Sequence, residues 1–186
     1  MLNDESIIEG CVAGKRIAQS ALYRKYATVM MAVCLRYTQN RDEAEDILQE
    51  AFLKIFQNIS SYRKEGSFEG WMKRVMINHA LNYYRRNRKL PFLEDIESIN
   101  ETEIMEKEEQ PAIHAPVSAE KLTALIQLLP PGYRMVFNMY VFEEYSHKEI
   151  SAELNISENT SKTQLLKARR MLRKKLVELN ILKNTV

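Results

Sequence analysis

Cysteine, glycine and proline are all scarce in this chain of 186 residues. The two cysteines, Cys11 and Cys34, are too few for a disulfide scaffold, which is typical of proteins in a reducing cytoplasm. Five glycines, five prolines and few alternating apolar and polar residues argue against a β-sandwich, a Rossmann sheet and a collagen-like chain. Frequent Glu, Lys, Leu and Ala favour helices instead, so we expect an all-α fold.

Long apolar runs are also missing. The longest uninterrupted run covers residues 29–35, far short of the roughly 20 residues that a membrane-spanning helix needs. The first ten residues, MLNDESIIEG, start acidic and contain no basic segment followed by an apolar one, so we expect no secretory signal. These features predict a cytoplasmic protein without membrane insertion.

The motifs of common enzyme classes do not occur in the sequence. It contains no glycine-rich phosphate loop, no HExxH motif and no nucleophile elbow. The two cysteines and the three histidines, His79, His114 and His147, do not have the spacing of metal ligands. We therefore expect no enzymatic activity, no cofactor and no metal site.

What the sequence does contain is an uneven distribution of charge. The formal net charge is +2, yet residues 1–90 carry a net +5, residues 91–117 a net −7, residues 118–144 a net −1 and residues 145–186 a net +5. Basic segments are candidates for binding polyanions, because contacts with phosphates release counterions. Ordinary solvated helix faces are the alternative.

The acidic middle segment, residues 91–117, separates the two basic parts of the chain. It contains three prolines and no sustained apolar stripe, so it buries too little surface to offset its ordering entropy. We interpret it as an extended linker between two small helical domains, residues 1–90 and 118–186. Either it is a plain spacer, or its acidic residues mimic nucleic acid within a basic channel.

Apolar residues at helical spacing predict three long helices in the first domain. The first apolar stripe comprises Ala18, Ala21, Leu22, Tyr26, Val29, Met30, Val33 and Tyr37. A capping box at Asn40 and Glu43 precedes the second stripe, which comprises Ala44, Ile47, Leu48, Ala51, Phe52, Ile55, Phe56 and Ile59. A cap at Ser67 precedes the third, which comprises Phe68, Trp71, Met72 and Val75. We interpret all three stripes as core.

Four polar residues of the second predicted helix fall on one stripe: Asp42, Asp46, Gln49 and Glu50. The helix dipole explains acidic residues in the first turn, but not Glu50 in the third. Two like-charge pairs at i,i+4 each cost roughly 0.2–0.5 kcal/mol in an isolated helix. The stripe therefore suits a basic partner surface, with a solvated face as the alternative.

A second stripe, on the third predicted helix, comprises Arg74, Asn78, Asn82, Arg85 and Lys89. Arg and Lys hold phosphates, and Asn reads or clamps base edges, so this stripe suits nucleic acid. Tyr62, Tyr83 and Tyr84 are placed to stack on exposed bases. For each tyrosine, a packed ring with a solvated hydroxyl is the alternative.

The second domain has the pattern of a helix-turn-helix. A first helix, beginning after Ser118 and ending at Pro130, carries Leu122, Leu125, Leu128 and Leu129. A second, mostly buried helix carries Val136, Phe137, Met139, Tyr140 and Val141. A capping box at Ser146 and Glu149 then begins a short helix, and a turn at residues 155–157 precedes a longer basic helix. This order is the plan of a DNA-binding helix-turn-helix.

The longer basic helix has two distinct faces. The residues expected to face inward are Leu165, Ala168, Leu172, Leu176 and Leu179. Those expected to face outward are Asn159, Lys162, Thr163, Leu166, Lys167 and Arg170. Because the N-terminal turns of such a helix enter the major groove, Lys162 and Thr163 are placed to reach bases or nearby phosphates.

Three segments resemble bacterial sigma factors, in the same order along the chain. DEAEDILQEAF, residues 42–52, is similar to their second conserved region, and FEGWMKRVMINHALN, residues 68–82, is similar to the helix that melts promoters and reads the −10 element. The segment from LPPGYR, residues 129–134, to KAR, residues 167–169, resembles the fourth region. Two domains, a short linker and no third domain are similar to the extracytoplasmic-function (ECF) group.

The resemblance implies a dissociable transcription initiation factor without catalytic chemistry. It implies that the β′ clamp helices of core RNA polymerase contact Asp42, Asp46, Gln49 and Glu50. It implies that the −10 element contacts Tyr62, Arg63, Lys64, Trp71, Arg74, Asn78, Asn82, Arg85, Arg86 and Lys89. It implies that the −35 element contacts Asn159, Thr160, Lys162, Thr163, Leu166, Lys167 and Arg170.

Further partners follow from the same resemblance: the β flap of the polymerase, promoter DNA and an anti-sigma protein. A monomer is implied when the chain is free. The linker is implied to run toward the active-site channel of the polymerase, which favours the mimicry interpretation over the plain spacer.

Two residues depart from the family pattern. Ser161 stands at an inward position where valine is usual, so the helix either packs more loosely there or the hydroxyl bonds back to the preceding turn. Gln164 stands where a basic residue is usual, which leaves open one expected contact with the DNA backbone.

Two other functions remain as alternatives. A free-standing helix-turn-helix repressor or activator would bind duplex DNA tightly without polymerase, as a dimer on a palindrome. A helical interaction module with no DNA role would show no salt-dependent DNA binding. A mobility shift on promoter DNA, with and without core polymerase, discriminates among the three.

Overall fold

The structure, a computed structural model, describes residues 3–87 and 117–181. These residues form two compact units, one on each side of the gap. All regular elements in the two described ranges are helices, which confirms the all-α expectation. Lys89 and nearly all of the acidic linker lie outside the described residues.

Residues 3–87 form the first unit. Its helices are α1 (Asp4–Val12), α2 (Arg16–Tyr37), α3 (Arg41–Asn58) and α4 (Phe68–Asn87), with a 3₁₀ turn at Ile59–Ser61. Helices α2, α3 and α4 pack against one another in all three pairs, and α1 packs on α2. The three long helices predicted from the apolar stripes are therefore present.

Helix α1 is the element that the apolar pattern did not predict. Asn3 caps it, because its side-chain oxygen accepts a hydrogen bond from the Ser6 amide at 2.8 Å. Gly10 allows α1 to approach α2 closely: a Cβ built on Gly10 would lie 2.5 Å from the Ala18 Cβ. Glycine is therefore required at this helix contact.

The core of the first unit follows the predicted stripes in most positions, with Val29 exposed and four residues only half-buried: Ala21, Phe56, Trp71 and Val75. The buried residues of α2 are Ala18, Leu22, Tyr26, Met30, Val33, Cys34 and Tyr37. Val29, expected to face inward, is instead 41% exposed. It lies one residue before Met30, and one residue rotates a side chain by about 100° around a helix. In α3, all predicted core residues from Ala44 to Ile55 are buried.

Residues 117–181 form the second unit. Its helices are α5 (Ala119–Gln127), α6 (Pro131–Val141), α7 (His147–Leu154) and α8 (Glu158–Glu178). Helix α8 packs against each of the other three. The buried core cluster joins the α5 segment to α8 and comprises Leu125, Leu129, Ala168 and Leu172.

Four apolar residues of the second unit are more exposed than expected. Leu128 and Leu179 are both more than half exposed, because each is the C-cap residue of its helix. Tyr140 and Val141 are exposed at the end of α6. Helical periodicity predicts that these residues face the core, but at the end of a helix the neighbouring helices no longer cover that face.

The helix-turn-helix is formed by α7 and α8, as predicted. Ser146 and Glu149 make a complete capping box at the start of α7. Asn155 ends α7 in the left-handed conformation, with φ of 54°. Ser157 begins α8 by accepting a hydrogen bond from the Thr160 amide at 3.0 Å. In the described part of the chain, no helix has the length and apolar character needed to cross a membrane.

Candidate nucleic-acid and protein interfaces

The first candidate surface is the acidic stripe of α3: Asp42, Asp46, Gln49 and Glu50. All four residues are exposed, while the opposite side of α3 is buried in the core. Three carboxylates on one ridge of about two turns create a local negative potential. This surface can bind a basic protein surface without any rearrangement of the core.

The second candidate surface is the polar stripe of α4, hereafter the α4 stripe. Arg74, Asn78, Asn82 and Arg85 are exposed, and the neighbouring Arg86 is exposed as well. The Asn82 side-chain oxygen accepts a hydrogen bond from Arg85 Nη1 at 3.5 Å, so this amide and this cation lie side by side. Amides beside guanidinium groups can contact bases and phosphates of one strand together.

A loop at residues 62–67 adjoins the N-terminus of α4. The Tyr62 hydroxyl donates a hydrogen bond to the Gly66 carbonyl at 2.7 Å and closes the loop. Lys64 has a φ of 61° and its ammonium lies 2.7 Å from the Glu5 carboxylate of α1. This ammonium holds the pKa of Glu5 below its usual value. Arg63 is exposed, so the loop presents its guanidinium beside the paired Lys64.

Aromatic contacts hold the rings of Tyr62 and Trp71, the two aromatic residues that the family resemblance assigns to the −10 element. The ring centroids of Tyr62 and Phe68 are 5.0 Å apart, and those of Tyr62 and Trp71 are 5.8 Å apart. Phe68 and Trp71 stack at 5.6 Å. Tyr62 and Trp71 are both half-buried, so each ring retains an accessible part.

A cavity of about 380 Å³ lies between α1 and this loop. Its lining residues are Asp4, Glu5, Ile8, Glu9, Tyr62, Lys64, Ser67 and Phe68. No sequence pattern indicated this cavity, since half of its lining residues belong to helix α1, which was not predicted.

Tyr83 and Tyr84 differ from each other in the structure. The Tyr84 ring is buried and its hydroxyl donates to Glu43 Oε2 at 3.1 Å, so stacking on bases is wrong for this residue. Tyr83 is half-buried and packs edge-to-face against Tyr84, with centroids 5.7 Å apart. For Tyr84, the ring is therefore packed in the core, as the alternative interpretation has it.

The third candidate surface is the outer face of α8. Asn159, Lys162 and Arg170 are exposed there, and the other four predicted residues, Thr160, Thr163, Leu166 and Lys167, are half-buried. The Thr160 hydroxyl lies 2.9 Å from the Ser157 hydroxyl at the N-cap. The N-terminal turns of α8 therefore present an amide, a hydroxyl and an ammonium group.

Both departures from the family pattern occupy buried positions. The Ser161 hydroxyl lies 2.9 Å from His147 Nδ1, so it bonds across to α7. Gln164 is 5% exposed, and a Cβ on Gly132 of α6 would lie 3.1 Å from its Oε1. This side chain packs inside the unit, so it is not placed to make the DNA-backbone contact that the sequence left open.

His147 connects the two helices of the helix-turn-helix. Its ring stacks on Tyr140 with centroids 4.8 Å apart, and the Arg169 guanidinium lies 5.7 Å from the same Tyr140 ring. Burial lowers the pKa of His147, and the nearby positive charge of Lys162 lowers it further, while Glu158 acts in the opposite direction. The neutral imidazole is therefore the form that this packing favours.

The cysteines have a packing role. Burial raises the pKa of the Cys34 thiol to about 12, and it raises that of Cys11 as well. Cys34 Sγ lies 3.9 Å from Met76 Sδ in the core. A buried, protonated thiol is a poor nucleophile.

Two family models match the chain, one in each compact unit. The Sigma-70 region 2 model matches residues 22–90, and the Sigma-70 region 4 model matches residues 119–172. The ECF RNA polymerase sigma factor SigM of Bacillus subtilis is 30% identical over 154 residues, which is 82% of this chain and 91% of SigM. SigE of Mycolicibacterium smegmatis is 27% identical over 152 residues, and the match covers 82% of this chain but 59% of SigE.

A solved structure supports the fold. The sigma factor RpoE of Bartonella quintana, crystallised with the anti-sigma factor NepR, matches with a TM-score of 0.50 and 16% identity. The match covers 85% of this chain and 96% of RpoE. The two Sigma-70 family models and the match to SigM together show that the chain belongs to the ECF RNA polymerase sigma factors.

Proposed function

We propose that this chain binds core RNA polymerase, directs it to promoters and captures the melted −10 bases, without catalytic chemistry of its own. Residues 1–90 bind polymerase and the −10 element, residues 91–117 link the domains, and residues 118–186 bind the −35 element. The observation that carries the proposal is the exposure of one acidic and two polar surfaces on units of a sigma factor.

The acidic stripe is the proposed contact for the β′ clamp helices. Its carboxylates cost stability by mutual repulsion in the free chain, and a basic partner surface removes that cost. The stripe lies on the solvent side of a helix whose other side is core, so packing holds the backbone that carries it in place. A backbone that is already held in place loses little conformational entropy on binding.

The α4 stripe and the loop at residues 62–67 are the proposed −10 contacts. Asn78 and Asn82, together with this loop, hold unstacked bases, and Arg85, Arg86, Arg88 and Lys89 hold the backbone of the −10 element. Tyr62 and Trp71 supply partly accessible rings beside the loop. Because unstacking a base step costs a few kcal/mol, capture needs several such contacts together.

The N-terminal turns of α8 are the proposed −35 contacts. Lys162 and Thr163 reach bases or adjacent phosphates in the major groove, flanked by Asn159 and Thr160. Leu166 offers an apolar contact to a thymine methyl, and Lys167 and Arg170 contact the backbone. The β flap is the proposed polymerase contact of this unit.

Control by an anti-sigma protein is also proposed, since the similar RpoE was crystallised with the anti-sigma factor NepR. The free chain is proposed to be monomeric and to act in the cytoplasm, where it meets polymerase. The acidic linker is proposed to run toward the active-site channel, where its charges mimic nucleic acid.

A mobility shift on promoter DNA tests the proposal. We expect a salt-dependent shift with the chain and core polymerase together, and little or none with either alone. Equally tight binding of the chain without polymerase, as a dimer on a palindrome, would instead show a free-standing helix-turn-helix regulator. No binding under either condition would leave a helical interaction module.

A further inference from the structure

Glu50, at the end of the acidic stripe, contacts α4 as well as solvent. Its Oε2 lies 2.8 Å from Nε2 of His79. A carboxylate only accepts hydrogen bonds, so Nε2–H of His79 is the donor. The His79 side chain is 18% exposed and the Glu50 side chain is 64% exposed. The ring is therefore held by packing, while the carboxylate remains accessible to a partner.

His79 also lies next to Asn78 of the α4 stripe in sequence. The hydrogen bond therefore joins α3, which carries the acidic stripe, to the helix that carries the proposed −10 contacts. No motif predicted this pair, since 29 residues separate its members along the chain.

We propose that His79 is a positioning residue for polymerase binding: it holds the Glu50 carboxylate in the orientation that a basic polymerase side chain contacts. The inference rests on the proposed function, because it takes the acidic stripe as the polymerase contact. An exposed glutamate loses rotamer freedom when it pairs with a partner. A hydrogen bond to a packed ring removes part of that loss before the partner arrives.

Lys54 determines the direction of the expected effect. It is exposed and lies one turn after Glu50 on α3. A glutamate four residues before a lysine is the favourable order for an ion pair on a helix. Without His79, Glu50 is free to turn toward Lys54, which would neutralise its charge. Removal of the histidine donor therefore weakens polymerase binding.

A second polar contact between the same two helices supplies a matched control. The Tyr84 hydroxyl donates to Glu43 Oε2 at 3.1 Å. Glu43 is half-buried and is not part of the acidic stripe. Tyr84→Phe removes a hydrogen bond between α3 and α4 without touching Glu50, so it separates a general loosening of the two helices from the specific effect at His79.

The experiment measures the Kd of the full-length chain for core RNA polymerase. His79→Phe keeps a ring without the donor and weakens binding about fivefold. His79→Asn, an amide too short to reach the carboxylate, weakens binding to a similar extent. His79→Gln retains a donor and stays within about twofold of wild type. Tyr84→Phe leaves the Kd unchanged, and in a Glu50→Ala background His79→Phe has no further effect.

Two results overturn the inference: an unchanged Kd for both His79→Phe and His79→Asn, or an equal loss with and without Glu50. Circular dichroism of each variant identifies one that does not fold, and the other variant then decides the outcome. Failure of the proposed function gives a different result, because the wild-type chain would then not bind core polymerase at all.

Discussion

The His147 imidazole of α7 and the Ser161 hydroxyl of α8 form a 2.9 Å hydrogen bond inside the helix-turn-helix. Ser161 is fully buried, and it occupies the position where the family resemblance leads one to expect valine. The hydroxyl therefore does not loosen the packing; it satisfies a ring nitrogen that an apolar residue would leave without this partner.

Removal of this hydrogen bond is expected to destabilise the second unit. Ser161→Ala leaves Nδ1 of the half-buried His147 ring without this partner and should cost about 1–2 kcal/mol. Amide hydrogen exchange of α7 and α8 in the full-length chain measures the loss. In a His147→Phe background the same substitution should cost about 1 kcal/mol less, since the partner is already gone. If Ser161→Ala costs the same stability in the wild-type chain and in the His147→Phe chain, the hydrogen bond does not stabilise the unit.

The stability of the second unit should fall as the solution becomes acidic. Burial lowers the pKa of His147 below its ordinary value of 6.5, so between the two values the unfolded chain binds more protons than the folded one. The contribution of His147 to the stability of the second unit is therefore fully present above pH 6.5. It decreases as the pH falls toward the pKa of His147 in the folded chain. Hydrogen exchange of α7 and α8 against pH measures this dependence.

His147→Phe is the control for the pH dependence, because it keeps a ring beside Tyr140 but does not titrate. Its profile should be flat just below pH 6.5. A wild-type stability that stays constant or increases as pH falls through this window would contradict the assignment to His147.

The contact between α1 and α2 should be sensitive to one methyl group. Gly10→Ala places a Cβ 2.5 Å from that of Ala18, so the helices must separate. We expect a loss of about 1–3 kcal/mol in the first unit, measured by thermal unfolding. Ala18→Gly should partly restore the Gly10→Ala variant, because the Ala18 Cα lies 4.0 Å from the new Cβ. No rescue would show that the loss arises elsewhere.

Charge reversal on the acidic stripe should abolish polymerase binding. Asp46→Arg with Glu50→Arg replaces attraction by repulsion at the clamp contact, and helix content should remain intact because both side chains are exposed. A pull-down with core polymerase and circular dichroism measure the two properties. The control is Arg41→Glu with Glu45→Arg, which exchanges the members of an existing ion pair on the same helix. Unchanged binding of the stripe variant would reject the clamp assignment.

Loss of one cation from the α8 face should change the salt dependence of promoter binding. Lys162→Ala should weaken binding by the holoenzyme and reduce the slope of log K against log salt by about 0.9 if the ammonium contacts a phosphate. Lys174→Ala, an exposed lysine further along α8, should leave the slope unchanged. Equal effects of the two substitutions would show a general effect of net charge.

Most helices were predictable because their signals are local. Alternating gaps of three and four between apolar residues indicated α2, α3 and α4, and side-chain caps at Asn40, Ser146 and Ser157 marked helix starts that the structure confirms. The left-handed Asn155 begins the turn that was predicted at residues 155–157. Helix α1 was missed because its packing depends on the close approach at Gly10, a contact that spacing does not reveal.

The surfaces were only partly predictable, for a related reason. Charge and spacing identified which side chains are exposed on α3 and α4, since those faces are determined by the buried stripe opposite. Burial of a polar residue depends on its partner in another helix, as with Gln164 against Gly132 and Tyr84 against Glu43. The pair of Glu50 and His79 likewise became visible only once α3 and α4 were packed together.

The most direct test of the account is transcription by core RNA polymerase reconstituted with the purified chain on genomic fragments. We predict discrete transcripts that are absent with core polymerase alone and are lost with the Asp46→Arg and Glu50→Arg variant. If the same core polymerase is active with another sigma factor but yields no transcripts that depend on this chain, the proposed function is contradicted.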